Sequence, residues 1–166
     1  MRTAILVLVS AALLAAIPAV GKPPRDRAPA EPWATVNVCD TQMRPNQIGI
    51  RGSMEGLARR TRMYMRFRVQ YQRVDGSWRT IRSGADSRWR KVGKGRARRG
   101  EHDAGWTFEF RPPTVGGAHI LRGLVSFQWR RAGRVVERAR RTTEPGHPGT
   151  AGADPADFSA AICEIA

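Results

Sequence analysis

Lysine is nearly missing from this chain. Of 29 cationic residues only Lys22, Lys91 and Lys94 are lysine, and arginine supplies the rest. Cysteine is as scarce: Cys39 and Cys163 stand alone, far apart, and neither lies in a CxxC pair. That spacing removes the usual zinc and thiol redox motifs. HExxH, phosphate-cradling and dinucleotide fingerprints are absent. Ser53 sits in Gly52-Ser53-Met54-Glu55-Gly56, but it follows Gly52 directly, so the G-x-S-x-G spacing of a nucleophile elbow is not met. Outside the N-terminal region no segment of ten or more residues has clean helical periodicity. These gaps speak against an enzyme, against a resident cofactor or metal, and against a helical fold.

One apolar run is present, from Ala4 to Ile17, interrupted by Ser10 and ended by Pro18. It follows the positive start Met1-Arg2-Thr3 and precedes the small residues Ala19 and Gly21. This order is that of a secretory signal peptide over residues 1–21, with an uncleaved anchor as the alternative. The run is shorter than the ~20 residues that a spanning helix needs. No twin arginine or lipidation cysteine accompanies it. Residues 22–32 (KPPRDRAPAEP) carry four prolines and mixed charge, and read as an extended, poorly ordered linker. Residues 33–166 are expected to form one domain, since about 145 residues beyond the signal suit a single core. In an exported chain two cysteines read as a disulfide, the alternative being two free thiols. A Cys39–Cys163 bridge would enclose nearly the whole domain, worth roughly 5 kcal/mol as an upper figure from chain entropy. The expected location is secreted or associated with the cell envelope.

After Trp33 the pattern has period two. Met63, Met65, Phe67, Val69 and Tyr71 share one face, and Tyr64, Arg66, Arg68 and Gln70 the other. That is a half-buried strand of an antiparallel sheet. Trp106, Phe108 and Phe110 alternate in the same way, as do Leu121, Val125, Phe127 and Trp129, with Gly123 in the row making room for a ring from a facing sheet. Weaker strands are expected at 33–39, 47–54, 77–82, 88–92, 134–143 and 159–165, the 134–143 strand being polar and suited to a sheet edge. Asp75-Gly76 and Ala132-Gly133 mark hairpins. Lys94–Asp103 reads as a mobile loop, and Glu144–Asp157 as a long polar loop tied back by Cys163. Seven or eight such strands indicate an all-β fold, an immunoglobulin-like antiparallel β-sandwich with one disulfide.

Three stretches, MYMRFRVQYQR (63–73), RWRKV (88–92) and LRGLVSFQWRRAGRVVERARRTT (121–143), resemble a group of uncharacterised exported β-sandwich proteins of high-GC actinobacteria. In that group the last two long strands form a hairpin whose Phe-x-Trp, here Phe127 and Trp129, faces the core. The resemblance implies a fold and no activity. Cys163 departs from the group in following an extra loop of about 15 residues. A broader likeness is to fibronectin type III domains, which bind, space or present.

The formal net charge is +15. Such a field attracts polyanions, among them nucleic acid, anionic envelope polymers and acidic lipid headgroups. An arginine bias with abundant Ala and Gly also follows from GC-rich coding, which leaves a merely solvated basic surface as the other reading. The densest constellation is Trp78, Arg79, Arg82, Arg88, Trp89, Arg90 and Lys91, joined by Arg96, Arg98 and Arg99. Guanidinium groups pair bidentately with phosphate or carboxylate, and open indoles can stack on ligand rings. Alternatively Trp78 and Trp89 are core residues beneath arginine stems. His119 reads as an edge residue. Glu101, His102 and Asp103 could hold a cation weakly, and His147 with Asp154 and Asp157 could form a metal or acid–base cluster, the latter as in a hydrolase. The expectation is a non-catalytic exported module with a binding or structural role at the envelope or outside the cell, or a polyanion binder using the arginine and tryptophan face.

Overall fold

A computed structural model describes residues 30–57, 59–95, 100–114 and 116–166. The signal-peptide reading of residues 1–21 and most of the linker lie outside these, as do Arg96, Arg98 and Arg99. Among the described residues there are nine strands and no helix. They are β1 (Trp33–Thr41), β2 (Arg44–Glu55), β3 (Thr61–Gln72), β4 (Trp78–Thr80), β5 (Arg90–Gly95), β6 (Glu101–Glu109), β7 (His119–Arg131), β8 (Arg134–Thr142) and β9 (Cys163–Ile165). All pair antiparallel. One sheet runs β1-β2-β6 and the other β4-β3-β7-β8, with β5 on β3 and β9 on β7.

Alternation decides which face of each strand is buried. In β3 Met63, Met65, Phe67 and Val69 are fully buried, and only Tyr71, 41% exposed at the strand end, leaves the row. In β7 Leu121, Val125, Phe127 and Trp129 are buried, and the smaller sheet answers with Ala34, Val36, Ile48, Ile50, Met54 and Phe108. The two rows close one apolar layer, the chief source of stability in a sandwich of this size. The Trp129 indole donates to the Glu55 carbonyl at 2.6 Å, so its polar atom is satisfied at the core margin.

Gly123 keeps its place in the core row, but the neighbour that needs the room is not a ring. A Cβ there would stand 2.5 Å from Thr143 Cγ2 and 2.9 Å from Ile50 Cγ2. Ile50 comes from the facing sheet and Thr143 from the segment after β8. The Thr143 hydroxyl accepts from Gly123 N–H at 3.0 Å, which fixes this close approach.

Residues 78–95 all follow one edge of β3, though only β4 and β5 are regular. Between them Val69 N–H donates to Ala85 O, Ser87 N–H to Phe67 O, and Arg68 faces Asp86 in an isolated bridge. Arg88 has φ 59°, a left-handed kink that moves the start of regular pairing from the expected 88 to Arg90. Of the expected loop Lys94–Asp103, five of the six described residues are strand. Lys94 and Gly95 end β5, and Glu101–Asp103 begin β6 and pair with Ser53–Glu55. The composition concealed this because the inward residues are His102 and Ala104 rather than large apolar groups. His102 packs where Gly93 and Gly95 have no side chain: a Cβ on Gly93 would lie 2.5 Å from its Nδ1.

The tail is also more fixed than a polar loop. Glu144 N–H donates to Ala34 O, Asp154 N–H to Asn37 O, and Val36 and Ala160 exchange both backbone bonds. The tail thereby covers the free edge of β1, and β9 places Cys163 on β7. Cys39 and Cys163 are bridged across 124 residues of chain. At the other end the expected linker has an anchored last turn: Ala30 N–H donates to Glu55 Oε2, Glu31 pairs with Arg141, and Pro32 is buried.

Candidate functional site: an arginine face on the larger sheet

The outward side of β3, β7 and β8 follows from register. Paired residues in a sheet share a face. Arg62 lies opposite Arg130, Arg66 opposite Ser126, Arg68 opposite Leu124, and Gln70 opposite Arg122. On the far side of β7, Ser126 faces Arg140 and Gln128 faces Arg138. Lys91 and Lys94 join through Tyr64 and Arg62. Nine cations from four strands thus share one sheet face. Only two carboxylates share it among the described residues: Asp86 beside Arg68, and Glu164 at the far corner opposite Ile120.

Asp86 is already engaged. Arg66 Nε donates to its Oδ1 at 2.9 Å and Arg66 Nη2 bonds its Oδ2. The Arg66 bonds, aided by the Arg88 N–H, hold the Asp86 carboxyl down at a pKa of about 2. The same bond raises Arg66 above its ordinary value. Arg68 gains only a minor relief from the Asp86 charge and no bond to it. Its pKa is lowered, first by desolvation and then by repulsion from Arg66 and Arg140. Its Nε is shut off from solvent without an acceptor, and its Nη2 reaches only Ser126 Oγ at 3.4 Å. A partly desolvated cation among like charges is a cost in the free protein.

At each end of β7 one arginine is clamped. Arg122 Nε donates to Gln70 Oε1 at 2.8 Å, and its guanidinium lies 4.2 Å over the Trp78 ring. Burial lowers its pKa. Arg130 donates through Nε and Nη2 to Gln128 Oε1, lies 4.2 Å over Tyr64, and is 5.6 Å from Trp89. Each guanidinium lies over a ring and is oriented by an amide oxygen, with terminal N–H groups left over.

The structure distributes the sequence-derived candidates. Trp78, Trp89 and Lys91 belong to this face. Neither indole is in the core cluster and neither is free: both are half-buried beneath arginines of β7. Arg79 pairs with Tyr71, on the opposite side of β4 from Trp78. Arg82 and Arg88 are exposed in the connection to β5. Arg90 turns to the smaller sheet, 4.1 Å over Trp106. The face therefore draws mainly on arginines of β3, β7 and β8 that the search for dense runs did not single out. The signal for them was the cation at alternate positions: Arg62, Arg66 and Arg68, then Arg138 and Arg140.

The other sets are not assembled. His147 stacks on Trp33, ring centroids 4.1 Å apart, and bonds Glu144 at 3.3 Å. The Asp154 carboxylate instead accepts from Thr41, and Asp157 is exposed. Strand alternation sends His102 inward and Glu101 and Asp103 out. His119 is half-buried opposite Ile165. Ser53 is buried inside β2. Among the described residues no group of three His, Cys, Asp or Glu is placed to hold a metal. On the outer side of the smaller sheet, an open cleft of about 330 Å³ lies between Asn37, Arg44, Arg51, Gly105 and Gly152.

No protein-family model and no curated protein matches this chain. Its functional reading rests on the face itself.

Proposed function

We propose that this chain is a non-catalytic, exported binding module that receives a polyanion on the outer face of the β4-β3-β7-β8 sheet. The subclass we assign is the immunoglobulin-like sandwich of fibronectin type III kind, supported by the strand order β1-β2-β6 against β4-β3-β7-β8. The bridged cysteines accord with an oxidising compartment, at the cell envelope or beyond it. One observation carries the reading: Arg68 is desolvated between Arg66 and Arg140, its Nε has no acceptor, and the Asp86 charge, already engaged by Arg66, offsets this only in part. Genome composition explains many arginines, but it does not explain their collection on one face around an unpaired centre. An anionic ligand would offset that repulsion on binding.

Retention on a heparin or polyphosphate column tests this. Replacing Arg66, Arg68 and Arg140 together by Ala is expected to lower the eluting salt and to reduce the salt slope of binding by about 3. A control removes the same number of charges off the face, at Arg79, Arg82 and Arg111, the last exposed beyond the end of β6, and is expected to leave most of the retention. Equal losses from the two sets would reduce the effect to net charge and remove the face as a site.

A further inference from the structure

The two clamped arginines lie on the same strand, eight residues apart. At ~3.4 Å per residue that places Arg122 and Arg130 about 27 Å from one another. Between them β7 carries Leu124 and Ser126, both buried, and Gln128, flanked in register by Arg68 and Arg66 on one side and Arg140 on the other. The strand is thus the axis of a line of cations, with an oriented guanidinium at each end. A compact anion would meet one end or the middle; only an extended one meets all three.

Resting on the proposed binding role, we infer that the ligand is an extended polymer of tetrahedral oxyanions without nucleobases, phosphate or sulfate in kind, lying along β7 and bridging Arg122 to Arg130. Tetrahedral oxyanions suit the terminal N–H groups that remain on a guanidinium oriented in this way. Nucleobases do not suit the face. Each of its rings, Trp78, Tyr64 and Trp89, has an arginine over it. Base stacking on these rings would require displacing clamps that hydrogen bonds to Gln70 and Gln128 hold in place. The face reads charge along a line. Bridging also gives the distance between the clamps a function: once one end is bound, the second binds at the effective concentration of a tethered group.

The experiment measures affinity for inorganic polyphosphate in two length classes, one extending well under 27 Å and one well over, compared per phosphate at fixed salt. The long class is expected to bind at least about 100-fold more tightly. Arg122→Ala and Arg130→Ala should each remove most of that advantage while changing short-chain affinity by only about twofold, since the other station remains. Arg122→Lys keeps the charge and loses the Nε bond to Gln70, and should also lose long-chain affinity; thermal melting of each variant shows that the fold persists. Heparin fragments in the same two classes separate sulfate from phosphate as the preferred source. Equal sensitivity of both lengths to Arg122→Ala and Arg130→Ala would overturn bridging and leave polyanion binding intact. A single-stranded oligonucleotide that outcompetes polyphosphate of equal charge would overturn the choice of polymer. Absence of binding at every length would sink the binding role itself.

Discussion

Arg68 and Asp86 are neighbours across one bridge and pull stability in opposite directions. Asp86 has its folded pKa depressed to about 2 by Arg66. Its contribution is therefore fully present above the unfolded carboxyl value, ~3.9, and is lost as pH falls from about 4 to 2. Arg66 and Asp86 keep 28% and 19% of their side-chain surface in solvent, so the amount is about 1 kcal/mol after screening. Urea midpoints at pH 5 and pH 2.5 should differ by that increment in the parent and should lack it in Asp86→Asn. Arg68 is the converse case, a cation whose charge the fold disfavours. Arg68→Leu is expected to raise the melting temperature by about 2–4 °C while weakening polyanion retention. Were that variant less stable and bound as tightly as the parent, the site would be misplaced.

Among the elements, β7 carries both the core and the face, and its tolerance to change differs on the two sides. Gly123→Ala drives a Cβ into Thr143 and Ile50 and should cost about 1–3 kcal/mol. Adding Thr143→Ser removes the nearer methyl and keeps the hydroxyl that Gly123 N–H uses. The double variant should recover a substantial part of the loss in chemical denaturation, and no recovery would place the strain elsewhere. The strands themselves were legible because alternation of large apolar groups is a local signal, as in β3 and β7. So was the β7–β8 hairpin, where Ala132 and Gly133 both take positive φ. The start of β6 was hidden because His102 and Ala104 are small or polar and pack on glycines of β5. The arginine face was only half legible. Alternation told that Arg66 and Arg68 point out, but which arginines of β7 and β8 stand beside them depends on register, a property of the assembled sheet. Dense local runs point to 78–99 instead, and among its described residues alternation in β4 and the kink at Arg88 send Arg79 and Arg90 off the face.

At the scale of the whole molecule, one covalent tie joins β1 to β9 and pins the intervening tail along the β1 edge. Replacing Cys39 and Cys163 by Ser should cost about 2–5 kcal/mol. The loss should not be uniform. Amides of Asp154 and Ala160, which bond β1, are expected to exchange far faster, while those of Met65 and Phe127 at the β3–β7 centre slow or quicken only with global stability. Unchanged protection at Ala160 would mean that the tail holds to β1 without the bond.

The same two-layer build has a directional outcome. The arginines look outward from one sheet, and the cleft lined by Arg44 and Arg51 looks outward from the other. With sheets packed about 10 Å apart, the two surfaces are back to back. A filament settled along β7 therefore leaves the reverse side, cleft included, unobstructed and turned away from whatever the filament belongs to.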